Sequence, residues 1–254
     1  MGLIARMLTT GLVIGNDRDA ESLRVAGENT AAWADRIRLH HGRFSELGKA
    51  LEAAGVEKVD GLLADLGVSY YQLTDPERGF SLYSEGPLDM RMDRGDKRTA
   101  ADIVNFTAEK ELADLIFRLG EERRARRIAR ALVRARPIRT TAQLAAVVES
   151  VAQRTGRLHP ATRTFMALRM AVNDELEELD ALLETAPKLV KTGGRLVFLT
   201  FMSLEDRKVK HCFQRLAREG RARVLTKHVV RPTEDEVLFN PAARSAKLRA
   251  AEIA

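Results

Sequence analysis

Cysteine is almost absent from this 254-residue chain. Cys212 stands alone, which excludes an internal disulfide and any zinc site built on several thiolates. The five histidines, His40, His41, His159, His211 and His228, fall at no metal-ligand spacing, so no metal is expected. No run of about 18 apolar residues occurs and no charged-then-apolar leader opens the chain. A protein that neither spans a membrane nor is secreted is therefore expected, with the reducing cytoplasm as its compartment. No G-x-G-x-x-G follows any expected strand, which leaves a nicotinamide-dependent enzyme without support. No internal repeat or low-complexity segment stands out.

What is present is apolar enough to fold, since 45% of the residues are hydrophobic. The chain is long enough for one large domain or two modest ones. Its formal net charge is +6, and the distribution says more than the total. Residues 94–172 hold 17 Lys and Arg against 8 Asp and Glu, a net of +9, so the remainder sums to −3. The positive charge belongs to one central block.

Apolar runs at 11–15, 37–41 and 59–66 read as strands, separated by helices from Asp19 to about residue 34 and over 44–54. Strands and helices alternating at this spacing predict βαβ units and a mostly parallel sheet. Only helices follow, over 100–105, 109–118, 122–135, 141–153 and 161–183. A fourth strand is expected at 195–201, a helix at 203–219, and two closing strands at 224–230 and 245–253 joined by a loop. The expected fold is α/β, a Rossmann-like sheet over 1–98 and 173–254 with an all-helical insert over 99–172.

Residues 65–93 show no helical or strand period for almost thirty residues. Such a stretch in a compact domain is functional or disordered. This one carries Tyr70, Phe80, Leu88, Met90 and Met92, apolar material a linker would not hold, so it is read as the active-site segment. Asp65 closes the third strand, at the carboxyl edge where open α/β sheets take ligands; a turn cap before Gly67 would need the same residue. Asp17 follows the first strand, where an acid holds ribose hydroxyls in nucleotide-binding folds, although an Asp before a helix is also an ordinary cap. Phe44 follows the second strand and suits either an adenine face or the core. Segment 120–136 holds seven arginines, and helical spacing puts Arg123, Arg127, Arg130 and Arg134 on one face. Such a face is either a solvated surface or a phosphate-binding one, and the net +9 favours nucleic acid. Arg163 and Arg169 are further basic candidates on the next helix.

The stretches DLGVSYYQL, ERGFS, GPLDMRMD, GEERRARRIARA, HPATRTFMALRMAVNDELEEL, GGRLVFLTF, SLEDRKVK and NPAARSAKLRAAE stand in order across the chain. Together they resemble the bacterial 16S ribosomal RNA cytosine-N4 methyltransferases, which use S-adenosylmethionine. The resemblance implies a methyltransferase domain with an inserted helical domain for RNA recognition. It implies cofactor-binding roles for Asp17 (ribose), Phe44 (adenine), Asp65 and Gln72, and a cytidine in the decoding region of small-subunit rRNA as substrate. Asp65, or the backbone carbonyls of residues 66–69, would accept the N4 proton. Arg123, Arg127, Arg130 and Arg163 would bind RNA. Tyr70, Tyr71, Phe80 or Tyr83 would stack on the base or pack the loop.

Two departures accompany the match. Members begin with a further strand and a glycine-rich loop, and Gly2 stands just past it; members also carry His where this chain reads Phe201-Met202-Ser203. The alternative reading is therefore an rRNA-binding module that has lost catalysis. Either free rRNA or the assembled small subunit fits as partner, and the oligomeric state, a homodimer among the options, is not written in the sequence.

Overall fold

The computed structural model describes residues 1–153 and 158–254, which fall into two compact units. The first combines residues 1–67 and 176–254; the second is continuous over 68–175.

The first unit is the α/β body expected from the strand and helix alternation. Helix α1 (Gly2–Met7) precedes strand β1 (Val13–Asp17), helix α2 (Ala20–Asn29) and strand β2 (Ile37–His41). β1 and β2 pair in parallel, with Val13 opposite Ile37 and Asp17 opposite His41. Asp19 caps α2 by accepting the Glu21 N–H at 3.0 Å, which ends the strand-to-helix turn where the sequence placed it. Helix α3 (Leu47–Ala53) leads into β3 (Val59–Asp65).

The second unit comes next, after which α10 (Glu175–Leu189) returns the chain to β4 (Val190–Thr200), α11 (Ser203–Arg218) and β5 (Ala222–Val224). α12 (Glu234–Phe239) and β6 (Lys247–Ile253) close the chain. The second sheet runs β3-β4-β6-β5, parallel between β3 and β4 and antiparallel elsewhere. Its core is aliphatic around a T-shaped pair, Phe198 on β4 and Phe213 on α11, with ring centroids 5.8 Å apart. β1 and β3 each end their sheet, so neither is flanked by a strand on its outer side among the described residues. Leu63 on β3 is 55% exposed, unlike the residues of a strand covered on both faces.

The second unit is helical: α4 (Tyr70–Thr74), α5 (Ala100–Phe106), α6 (Glu109–Gly120), α7 (Ala125–Arg134), α8 (Thr141–Val151) and α9 (Thr162–Val172). Ser69, Thr99 and Thr140 begin α4, α5 and α8 with reciprocal capping boxes, each accepting the N–H of the residue three along. Ile103, Leu112, Ile116, Ile128, Leu132 and Leu168 meet in its core.

Several expectations are corrected here. The insert does not start at residue 99. Phe80, Leu88, Met90 and Met92 are buried in the helical core, so 68–98 belongs to that unit. The stretch 65–93 is also not structureless, because it contains α4 and a 3-10 turn, Pro76–Arg78. The expected helix 161–183 is two helices, broken where Asp174 takes a left-handed φ of 49°. The Gly193–Gly194 pair lies inside β4 rather than before it, and 224–230 contributes only Val224, the last residue of β5, and an isolated bridge at Val230. The expected loop beyond it contains α12. Residues 154–157, within the basic block, lie outside the described residues.

Candidate functional site

In the first unit the carboxyl ends of the parallel strands carry two acids. Asp17 ends β1, and its Oδ1 accepts the Asp19 N–H at 2.8 Å. Burial pushes its carboxyl upward, partly offset by the backbone N–H groups that point at it. One oxygen of Asp17 thus closes the turn onto Asp19, the residue that caps α2. Beside it, Asn16 donates to the Gly42 carbonyl at 3.0 Å and pairs with His40 Nδ1 at 2.9 Å, locking the β1 and β2 ends together. Phe44 opens a 3-10 turn just past β2 and packs partly buried against the α/β core. The next residue, Ser45, donates its N–H and hydroxyl to Glu178 at 2.9 and 3.1 Å, anchoring the turn to α10.

Asp65 ends β3 opposite Leu199 of β4. Its carboxylate takes no hydrogen bond or ion pair among the described residues, and desolvation alone pushes its pKa up. The side chain is exposed on the surface, yet the strand ends around it withhold enough water to disfavour the charge. Here the cap reading fails. Gly67, two residues on, has a φ of +104°, which turns the chain away from the strand in a conformation L side chains rarely adopt. Phe201 and Met202, where the resemblance implies a His, donate their N–H groups to the buried Glu205 at 3.1 Å each.

In the second unit Gln72 is buried inside α4, where its Oε1 accepts the Ser69 N–H at 2.9 Å while its own N–H meets Ser69 Oγ at 3.2 Å. Of the candidate stacking aromatics, Phe80 is lost to the core. Tyr70 and Tyr71 are exposed and meet edge-on at 6.3 Å, and Tyr83 is exposed as well.

The turn from Pro87 to Asp93 shows features that the sequence reading passed over. Met90 is held at a φ of 64° while 1% exposed, a costly combination for a non-glycine residue. Asn173, fully buried, holds it there. Its Nδ2 donates to the Met90 carbonyl at 2.7 Å and its Oδ1 accepts the Met92 N–H at 2.8 Å. Buried Arg78 donates to the carbonyls of Arg91 and Met92 at 3.1 and 2.8 Å. Arg91 forms a two-pronged pair with Asp89 at 2.8 and 2.7 Å, which holds the Asp89 carboxyl below its usual range against the burial that opposes it. A Cβ on Gly79 would overlap the Pro87 carbonyl, so only glycine lets these strands of loop touch. The signal in the sequence was Asn173, a polar residue ending an apolar helix face, and Arg78 beside Gly79.

The arginine segment divides by role. Arg124 and Arg136 are spent on backbone carbonyls, those of Gln153 and Val104, both at 2.7 Å. α7 itself begins only at Ala125, so Arg123 precedes the helix it was expected to share. Arg123, Arg126, Arg127 and Arg134 are exposed and have no ion pair or hydrogen bond among the described residues. Arg130 reaches Glu109 at 3.4 Å, an exposed pair worth little. Arg163 is exposed and donates to the Glu121 carbonyl at 3.0 Å. Arg169 is not available as a basic candidate, since it forms a two-pronged pair with Glu175 at 2.7 and 2.8 Å. α7 has no acid in its first turn, where a helix N-terminus favours one.

Among the described residues no group of His, Cys, Asp and Glu could hold a metal ion, and no helix is long and apolar enough to cross a membrane.

Residues 3–254 match the MraW methylase family. The chain is 64% identical over 252 residues to the ribosomal RNA small subunit methyltransferase H of Solibacter usitatus (strain Ellin6076), covering 99% of this chain and 88% of that protein. Proteins of the same name from Acidobacterium capsulatum and Syntrophobacter fumaroxidans are 50% and 49% identical, over 98% and 95% of this chain and 86% and 82% of their own lengths.

Proposed function

The chain belongs to the MraW methylase family, and on that premise we infer that it is a methyltransferase of small-subunit ribosomal RNA. We propose further that it methylates the exocyclic N4 of a cytidine in the decoding region, in the cytoplasm, with S-adenosylmethionine as the donor. The alternative, a module that grips rRNA without catalysis, finds no support among these relatives, all of which are named methyltransferases.

The donor set in the α/β unit suits such a cofactor. Carboxylates stand at the carboxyl ends of two parallel strands, where α/β sheets take nucleotide-like ligands. The cofactor supplies an electrophilic methyl on a sulfonium, so the protein needs neither metal nor covalent nucleophile. Asp17, with one oxygen fixed by the Asp19 N–H, is already aimed and would accept from ribose hydroxyls. Phe44 would offer its ring to the adenine from the rigid turn held by Glu178. The resemblance implies a cofactor role for Gln72 too; in the second unit its side chain accepts the Ser69 N–H and fixes the turn it sits in.

The reaction's difficulty lies in the cytosine, whose N4 lone pair is delocalised into the ring. An acceptor for an N4 proton localises that pair as the methyl transfers. Asp65 is the acceptor we assign. The observation that carries this is its carboxylate at the carboxyl end of β3, with no partner among the described residues. The exposed arginines Arg123, Arg127, Arg130 and Arg163 would hold the phosphate backbone. The cytidine must leave its stack to reach the methyl, and an unpaired base does so at least cost.

The test is transfer of labelled methyl from S-adenosylmethionine to small-subunit rRNA and to assembled subunits, with digestion to nucleosides. N4-methylcytidine is the expected product in at least one of the two. Absence of that nucleoside from both would overturn the reading.

A further inference from the structure

One part of the helical unit presents an aromatic side chain that packing does not explain. Tyr83 is 83% exposed, although its ring carries a large apolar surface. It meets His159 edge-on, with ring centroids 6.1 Å apart and planes at 77°. His159 is fixed from two sides: its Nδ1 accepts the Ala161 N–H at 3.1 Å, and its Nε2 lies 2.8 Å from Glu149 Oε1. The tyrosine is therefore propped by a positioned group while most of its surface faces water.

Basic groups gather beside this prop. The Thr162 N–H donates to the His159 carbonyl at 3.0 Å, so Arg163 follows within one turn. Arg163 donates to the Glu121 carbonyl at 3.0 Å, and Arg123 stands two residues beyond that contact. Arg124, bonded to the Gln153 carbonyl at 2.7 Å, ties the start of α7 to the end of α8 in the same neighbourhood. Arg123, Arg126 and Arg127 are exposed there without a partner among the described residues. An open ring whose prop lies one helical turn from Arg163, in a unit with further exposed arginines, matches a polyanion with flat faces rather than an apolar peptide.

We propose that Tyr83 is a stacking platform for an unpaired nucleotide of RNA whose phosphates run over Arg163 and Arg123. This rests on the reading of RNA as substrate and goes beyond it by assigning the helical unit a single-stranded nucleotide of its own. A duplex buries its base faces and offers only phosphates and groove edges to such a ring. A single strand offers both the phosphate and the π-face, with stacking tolerant of sequence. His159 acts as a positioning residue, holding the ring rather than touching RNA.

The experiment titrates the full chain with a single-stranded RNA carrying several 2-aminopurines, and with a duplex of equal length, at several salt concentrations. Wild type is expected to prefer the single strand and to quench 2-aminopurine. Tyr83→Ala should bind the single strand about 5- to 150-fold more weakly, lose the quench, and keep the salt slope. Tyr83→Phe should keep affinity and quench. Arg163→Ala should reduce the salt slope by about one while retaining the quench at saturation. Replacing His159 by Ala should weaken the quench without changing the circular dichroism. Tyr83→Ala that binds and quenches like wild type overturns the platform alone. A wild-type chain that binds neither RNA overturns the platform together with the RNA reading.

Discussion

Asp65 is an acid whose surroundings resist its charge and give it no partner in return. Its folded pKa lies above the unfolded one, because burial favours the neutral form. Any stability it confers is present below the unfolded pKa and is lost as pH rises through the folded value. Asp65→Asn should therefore melt above the parent near pH 8, with the gap closing as pH falls toward 4. The same variant should lose about 10²- to 10⁴-fold in methyl transfer. Thermal unfolding across pH and a labelled-methyl assay read the two effects, and melting curves that stay superimposed at every pH would contradict the assignment. Asn173 makes the opposite case. Its removal strands the Met92 N–H and the Met90 carbonyl in a dry core, at about 1–3 kcal/mol for each stranded group. Asn173→Ala should accordingly lower the urea midpoint by an amount equivalent to about 2–6 kcal/mol, and a shift under 1 kcal/mol would show that the turn relaxes around the loss.

At the level of the element, α7 is two surfaces on one rod. Ala125, Ile128, Ala129 and Leu132 face the core, while Arg126, Arg127, Arg130 and Arg134 face water. Replacing Arg123, Arg127 and Arg130 together with Ala should leave circular dichroism unchanged, since Ala is the better helix former. The salt slope of rRNA binding should fall by about 2–3 units, and an unaltered slope would return this face to the solvated surface weighed at the outset. How much of this was legible in the sequence differs by element. The strands announced themselves through short apolar runs, and α7 through its spacing of Ile128 and Leu132. The break between α9 and α10 did not, because a left-handed Asp174 leaves no Gly or Pro to mark it. Residues 65–93 were readable as too apolar for a linker. Their home in the helical core was not readable, because Phe80, Leu88, Met90 and Met92 enter it from a turn with no period. Asp17 and Asp65 were picked out by position at strand ends, but only the geometry shows that one accepts a turn N–H and the other has no partner among the described residues. Tyr83 was legible as one of four aromatics that would stack on the base or pack the loop, but its prop was not, since His159 lies 76 positions away in the chain.

For the molecule as a whole, the consequence is two independent hydrophobic clusters rather than one. Leu132 and Phe213 are buried in different clusters. Leu132→Ala should cost about 2–5 kcal/mol and Phe213→Ala about 3–5 kcal/mol, each moving a different step in denaturant unfolding. One shared transition displaced equally by both changes would show the two cores to be a single cooperative body. Finally, the methionines sort by depth: Met7 is 82% exposed, whereas Met90 and Met92, clamped by Asn173 and Arg78, are 1% and 7% exposed. Dilute peroxide will convert the first to sulfoxide at the rate of a free side chain and reach the other two only when their turn opens. The ratio of those oxidation rates is thus a built-in gauge of how often the Pro87–Asp93 turn comes undone.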